Sequence, residues 1–225
     1  MEINGSVALV TGANRGLGRH FAQELLNRGA SMVYATARDP RGVDLPGVRV
    51  LRLDVNDPDS VEAAADVAKD VNLLVNNAGV ATGSNLLDGD LAQIRLEMET
   101  HFFGTLRVVR AFAPVLARNG GGAILNVLSL LSWANYDGAN AYSAAKAAQW
   151  SLTNGIRLEL AGQGTAVTGV HLGAADTDMM AGFDVPKLDP AYVAATALDG
   201  VAAGRPEVLV DDASRAAKAA LAGVS

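Results

Sequence analysis

The chain has 225 residues, half of them hydrophobic and 19% charged, enough to bury a core in one domain and too apolar for a disordered chain. Its 24 acidic and 18 basic residues give a net charge of −6 with no basic run, so neither nucleic acid nor an anionic membrane finds an electrostatic footprint. Cysteine is absent and there are three histidines, which excludes a disulfide framework and a thiolate nucleophile and leaves no metal site expected. Met1 to Gly5 lacks a basic stretch and runs directly into a strand pattern. No apolar run reaches the ~18 residues of a membrane span, so a cytoplasmic protein is expected.

In chain order, Val7 to Val10 reads as a buried strand that ends at Thr11-Gly12 and is followed by an amphipathic helix from about Leu17 to Arg28. Strands are predicted at Ser31 to Ala35, Val48 to Leu53 and Leu73 to Val75, with a helix from Pro58 to Lys69 before the last of these. A long helix from Leu91 to Arg118 then leads through Gly120-Gly121-Gly122 to a strand from Ala123 to Leu128. A second long helix, Asn140 to Leu160, precedes strands at Ala166 to His171 and Glu207 to Val210. Short, continuously apolar strands alternating with helices imply an α/β fold: a Rossmann-like doubly wound parallel sheet with helices on both faces, one domain over residues 1–225.

Between the first strand and the first helix stands Thr11-Gly12-Ala13-Asn14-Arg15-Gly16-Leu17-Gly18. Glycines there allow positive φ and let backbone N–H groups approach a pyrophosphate, which the positive end of the helix dipole also favours. After the second strand the chain reads Ala35-Thr36-Ala37-Arg38. No carboxylate stands at that strand end to accept a ribose hydroxyl. Arg38, with Arg15 as a second cation, suits the 2′-phosphate of NADP(H), while Asp39 is the residue that would favour NAD.

Tyr142 and Lys146 stand four apart on a predicted helix, so phenol and ammonium share a face. An unperturbed phenol titrates near ~10 and needs a nearby cation to act at neutral pH. Ser129, at the end of a predicted strand, is placed to hold a substrate oxygen. Tyr136 has Asn140 in the corresponding position and lacks such a cation.

These residues together resemble the short-chain dehydrogenase/reductase family, nearly end to end. Thr11 to Gly18 is similar to its T-G-x-x-x-G-x-G loop, Asp54-Val55 to its adenine-contacting pair, Asn76-Asn77-Ala78-Gly79 to its N-N-A-G segment, and Tyr142-x-x-x-Lys146 with Ser129 to its catalytic set. The resemblance implies hydride transfer between a nicotinamide and a carbonyl or alcohol on a small molecule, of the carbonyl reductase type. Ser129 would orient the carbonyl, Tyr142 would donate the proton, and Lys146 would bind the ribose and lower the Tyr142 pKa. Cofactor contacts would come from Gly12, Asn14, Arg15, Gly16, Leu17, Gly18, Arg38, Asp54, Val55, Asn77, Ala78, Gly79, Tyr142, Lys146 and Thr177. The alternative is an NADP(H)-binding redox sensor with little turnover.

Two positions depart from the family pattern. His101 stands where an asparagine usually holds a relay water, and a histidine can bond water or carry a proton itself. Leu172-Gly173 replaces the usual Pro-Gly, and the substrate loop at about 178–190 is short, so Met179, Met180 and Phe183 could line an open apolar pocket. The resemblance further implies a homodimer or homotetramer packed through the two long helices, whose Ala144, Ala145, Ala147, Ala148 and Trp150 exceed what one sheet face covers.

Overall fold

The computed structural model describes residues 1–223. Seven parallel strands form one sheet in the order β3-β2-β1-β4-β5-β6-β7: β1 Val7–Val10, β2 Met32–Ala37, β3 Arg49–Arg52, β4 Leu73–Asn76, β5 Ala123–Val127, β6 Ala166–His171 and β7 Glu207–Leu209. Helices α1 Gly16–Asn27, α2 Pro58–Val67, α3 Leu91–Met98, α4 Thr105–Arg118, α5 Asn140–Leu160, α6 Pro190–Ala202 and α7 Asp212–Ala220 supply the crossovers and the C-terminal segment. The fold is the expected doubly wound α/β sheet.

Strand alternation sorts the core into two layers. In β1, Ala8 and Val10 face Phe21, Ala22 and Leu25 of α1 and Val193, Ala197 and Leu198 of α6. Leu9 faces the other way, onto Leu74, Ile124, Val108, Phe112, Leu116 and Ile156, which join α4 and α5 to the opposite face. Because both faces are covered, Leu73, Leu74 and Val75 are all fully buried, which is why these strands read as apolar runs without polar alternation. The chain winds outward from β1 through β2 to β3, then returns to place β4 on β1's other side. The carboxyl ends of β1 and β4 therefore flank the crevice where open α/β sheets bind ligands.

The predicted helix over 91–118 is interrupted. α3 ends at Met98, Glu99–Gly104 form a wider π turn, and α4 starts at Thr105. The extra residue in that turn brings Thr100, His101 and Gly104 inward together. Close approach at its exit requires glycine, because a Cβ on Gly104 would lie 2.9 Å from Val55 Cγ2. Strand β2 runs two residues beyond the predicted Ala35, pairing Ala37 with Arg52, so Arg38 is the first residue past the sheet.

Candidate active site

The glycine loop closes onto β4 through polar side chains. The Asn77 amide donates to Thr11 O at 2.9 Å and Gly12 O at 3.2 Å, and the Thr11 hydroxyl accepts from the backbone N–H groups of Asn77 and Ala78 at 2.9 and 3.0 Å. Asn77 thus braces the loop with its side chain. Gly12 and Gly16 have φ of 65° and 53°, in the left-handed region, and a Cβ on Gly18 would sit 2.1 Å from Gly12 O. The loop is tight because it contains glycine at these positions; the Ala13 N–H donates to Thr36 O at 2.8 Å, and no side chain caps the amino end of α1 at Arg15. Asn14 lies beside Gly42, and Leu17 packs partly into the core below. Thr177 lies across from the loop, its Cγ2 3.4 Å from where a Gly16 Cβ would be.

At the other end, Arg38 is exposed and enters no ion pair among the described residues. Asp39 is occupied. Its carboxylate accepts from Arg41 Nε at 2.9 Å, Arg41 Nη2 at 2.8 Å and the Arg41 backbone N–H at 3.1 Å, which hold it below the usual carboxylate range. The residue that could have favoured a ribose hydroxyl is therefore spent on its neighbour. Arg15 pairs with Asp178 at 3.2 Å, and both side chains are about 70% exposed, a type of pair worth roughly 0 to 1 kcal/mol that a phosphate displaces readily. Asp54 accepts from the Asn56 N–H at 3.0 Å, while the Val55 side chain is buried against Gly104.

The residues expected from the sequence to carry the chemistry lie together near the carboxyl ends of β5 and β4. Ser129 follows β5 and caps a short turn, its hydroxyl accepting from Leu131 N–H at 3.1 Å. Tyr142 and Lys146 lie one turn apart on α5, and the Lys146 amine is 5.5 Å from the centre of the Tyr142 ring. Lys146 is buried and donates to Val127 O at 2.8 Å and to Gln149 Oε1 at 2.9 Å. The Gln149 amide in turn donates to Thr105 Oγ1 at 2.9 Å.

Burial pushes the Lys146 amine down to about 7, against a smaller upward pull from Glu97. Burial and the Glu97 carboxylate push the Tyr142 phenol above its ordinary range, and the Ser129 hydroxyl pulls it back down. The expectation that Lys146 lowers the Tyr142 pKa is thus not what this site displays. With desolvation and the Glu97 carboxylate both disfavouring the phenolate, Tyr142 is held as the protonated acid.

His101 corrects a second expectation. Its Nε2 lies 2.8 Å from Val80 O, so Nε2 carries the hydrogen and donates to that carbonyl, and the ring stands edge-on to Tyr142 at 5.1 Å. Burial, and next the charge on Lys146, hold its pKa well below the ordinary value, so it is a neutral ring and not a proton carrier near pH 7. Gly79 makes room for it: a Cβ there would be 2.6 Å from His101 Cε1. The residues expected to line a pocket also differ, since Met179 and Phe183 are 44% and 59% exposed on a loop pinned at its base by the Ala175–Leu188 bridge.

Sequence reasoning missed four contributors. Glu97 is fully buried and accepts from the Thr82 N–H and hydroxyl, both at 2.6 Å, which fixes the segment after Asn77-Ala78-Gly79. His171 donates from Nδ1 to Ser129 O at 3.0 Å and stacks on Trp133 at 3.8 Å, while burial pushes its pKa down to about 4. It holds the backbone behind the serine from below. Gln149 and Thr105 complete the set. Only Gln149's spacing of three from Lys146 on one helix was a readable signal, and it is shared by many surface pairs.

A family model described as short chain dehydrogenase matches residues 6–186, and the chain belongs to that family. It is similar over its whole length to a short chain dehydrogenase from Burkholderia cenocepacia solved in complex with NADP, with a TM-score of 0.95, 38% identity and 95% of that chain covered. It is 36% identical to the NADPH-dependent 1-acyldihydroxyacetone phosphate reductase of Schizosaccharomyces pombe over 75% of this chain and 60% of that protein. It is also 32% identical to a 3-oxoacyl-acyl-carrier-protein reductase of Vibrio cholerae over 80% of this chain and 77% of that one. No helix of the described residues is long and apolar enough to cross a membrane.

Proposed function

We propose that the protein is an NADP(H)-dependent oxidoreductase that exchanges hydride with a carbonyl or alcohol group of a small molecule, in the manner of a carbonyl reductase. The observation that carries this reading is the placement of the Ser129 hydroxyl, the Tyr142 phenol and the buried Lys146 amine together at the carboxyl ends of the central strands. The residues fit a dinucleotide. The glycine loop leads into the side-chain-uncapped amino end of α1, Arg38 offers an uncommitted charge to a 2′-phosphate, and Thr177, beside Gly16, would hold the carboxamide. A bound reduced nicotinamide supplies the hydride.

The chain's own residues do the rest. Ser129 orients the carbonyl oxygen, and Tyr142, kept protonated by burial, donates its proton to that oxygen as it gains charge. Lys146 uses its third N–H to hold the ribose side of the cofactor, because Val127 O and Gln149 Oε1 take the other two. The short 178–190 segment borders the substrate side.

Arg38 sets the cofactor preference. Replacing it with alanine is expected to raise the Michaelis constant for NADPH about 10- to 100-fold, as removal of charge-assisted bonds worth ~1.5–3 kcal/mol does, and to leave NADH nearly unaffected. A wild-type preference for NADH contradicts the assignment.

Assembly into two or four copies accounts for apolar side chains left outside the core on the outer helices. Leu158 of α5 is 79% exposed, Leu91 of α3 62%, and Phe103 in the π turn 44%. Light scattering at micromolar concentration is expected to give a dimer or tetramer mass, and a monomer would remove this part of the account.

A further inference from the structure

Lys146 is held from a direction the catalytic set does not explain. An ammonium has three donors and no acceptor, so each group it bonds must present an oxygen. Val127 O and Gln149 Oε1 are two such oxygens, at 2.8 and 2.9 Å. Gln149 could present its amide either way round, but Thr105 Oγ1 accepts from Nε2 at 2.9 Å and thereby turns Oε1 toward the amine. Lys146, Gln149 and Thr105 are all buried, so water cannot substitute for a lost bond, and each contact is worth more than it would be at the surface. The chain of bonds also joins two elements. Gln149 and Lys146 lie one turn apart on α5, while Thr105 is the first residue of α4, directly after the π turn that carries His101.

We propose that Gln149 is a positioning residue for Lys146: oriented by Thr105, its amide oxygen locks rotation of the ammonium so that the one remaining N–H points into the site, and it favours the charged amine over the neutral one. The proposal rests on the reading of Lys146 as the amine that serves the cofactor and Tyr142. It adds a group outside the Ser129, Tyr142 and Lys146 set, on the far side of the amine.

The charged and titratable groups around Lys146 come from four elements. Tyr142 shares α5, Glu97 approaches from α3, His101 from the π turn and His171 from β6. Both histidines are neutral near pH 7, with pKa values pushed below the ordinary range, and Tyr142 is protonated there. The Glu97 carboxylate, the Val127 carbonyl and the Gln149 amide dipole are therefore the groups that oppose the burial cost of the Lys146 charge. Removing the dipole should make the amine easier to deprotonate, and replacing it with a carboxylate should make it harder.

The test uses the full-length protein with lysine labelled at Cε with carbon-13. Lys146 is one of four lysines, and a Lys146→Met protein identifies its signal. In wild type that signal is expected to titrate near pH 7, the value to which burial pushes it. Gln149→Leu, which fills similar space without an acceptor, should move the midpoint down by about one unit, and Gln149→Glu should move it up by about one unit. Thr105→Val, which frees the Gln149 amide to turn, should move it down by less. The alkaline limb of NADPH-dependent carbonyl reduction should follow each shift in the same direction.

A residue with only a packing role would lower stability in both Gln149 variants and leave the midpoint in place. That outcome overturns the proposal, as do shifts in the same direction for the leucine and glutamate variants. If Gln149→Leu fails to fold, Gln149→Glu and Thr105→Val still give opposite expected signs. Failure of the enzymatic reading looks different: the Lys146 midpoint moves as described while wild type turns over no carbonyl at all.

Discussion

Replacing Tyr142 with phenylalanine is expected to lower kcat for carbonyl reduction by about 10²- to 10⁴-fold, the usual contribution of a positioned general acid. The substituted ring keeps the shape that packs edge-on against His101 and beneath the Lys146 amine. It removes the one hydroxyl placed beside Ser129. Stability should change by less than ~1.5 kcal/mol, since a single hydrogen bond, to the Ser129 hydroxyl, is lost. Fluorescence titration should give an almost unchanged affinity for NADPH, which separates loss of the proton from loss of the cofactor. An equal fall in affinity would mean that the phenol's main task is binding.

Replacing Lys146 with methionine should also abolish useful turnover, by about 10²-fold or more if the amine holds the ribose and orients the acid. The more diagnostic effect is on stability as a function of pH. Burial lowers the folded-state pKa of Lys146 to about 7, against an ordinary value of 10.5. Between those values the unfolded chain binds a proton at this site that the folded protein does not, so unfolding free energy rises with pH. The contribution is about 1.4 kcal/mol per pH unit from this group across that window. Below pH 7 both states carry the proton, and the full burial cost is present.

Urea midpoints are therefore expected to climb between pH 7 and about 9 in wild type, and the climb should shrink in Lys146→Met. Lys218, which partial burial also pushes downward, remains in both proteins and sets the background slope. Absolute stability at pH 7 is a poorer readout. Methionine removes a buried charge but leaves Val127 O and Gln149 Oε1 without a donor, and those losses, roughly 1–3 kcal/mol each, have the opposite sign. Identical pH slopes in the two proteins would show that the amine is ordinarily solvated.

What could be read in advance was local. The glycine turn between β1 and α1, the four-residue spacing of Tyr142 and Lys146, and the apolar strands each depend on neighbours in sequence, and the fold followed from their alternation. The Glu99–Gly104 turn was hidden, because its composition suits a regular helix and only its fit against Val55 and Val80 explains the extra residue. Arg38 was visible as a charge after a strand, but its freedom rests on the capture of Asp39 by Arg41. Asn77 was read as a cofactor contact, and the hydrogen bonds by which its side chain ties the glycine loop to the end of β4 were not legible. Lys146 was legible as a cation. Its lowered pKa and its tie to Thr105 through Gln149 were not, since both arise from three elements meeting in space.

The central claim, that a tyrosine proton and a nicotinamide hydride reach one carbonyl in this cleft, is tested most directly by single-turnover mixing. Wild type and Tyr142→Phe, each preloaded with NADPH, are mixed with ketones, aldehydes and quinones while the nicotinamide absorbance is followed. Wild type should lose the reduced-nicotinamide signal with at least one class of carbonyl, and the phenylalanine variant should retain it with cofactor still bound. Equal rates in the two proteins, or a wild type that binds NADPH firmly and oxidises it with no carbonyl, would contradict the account.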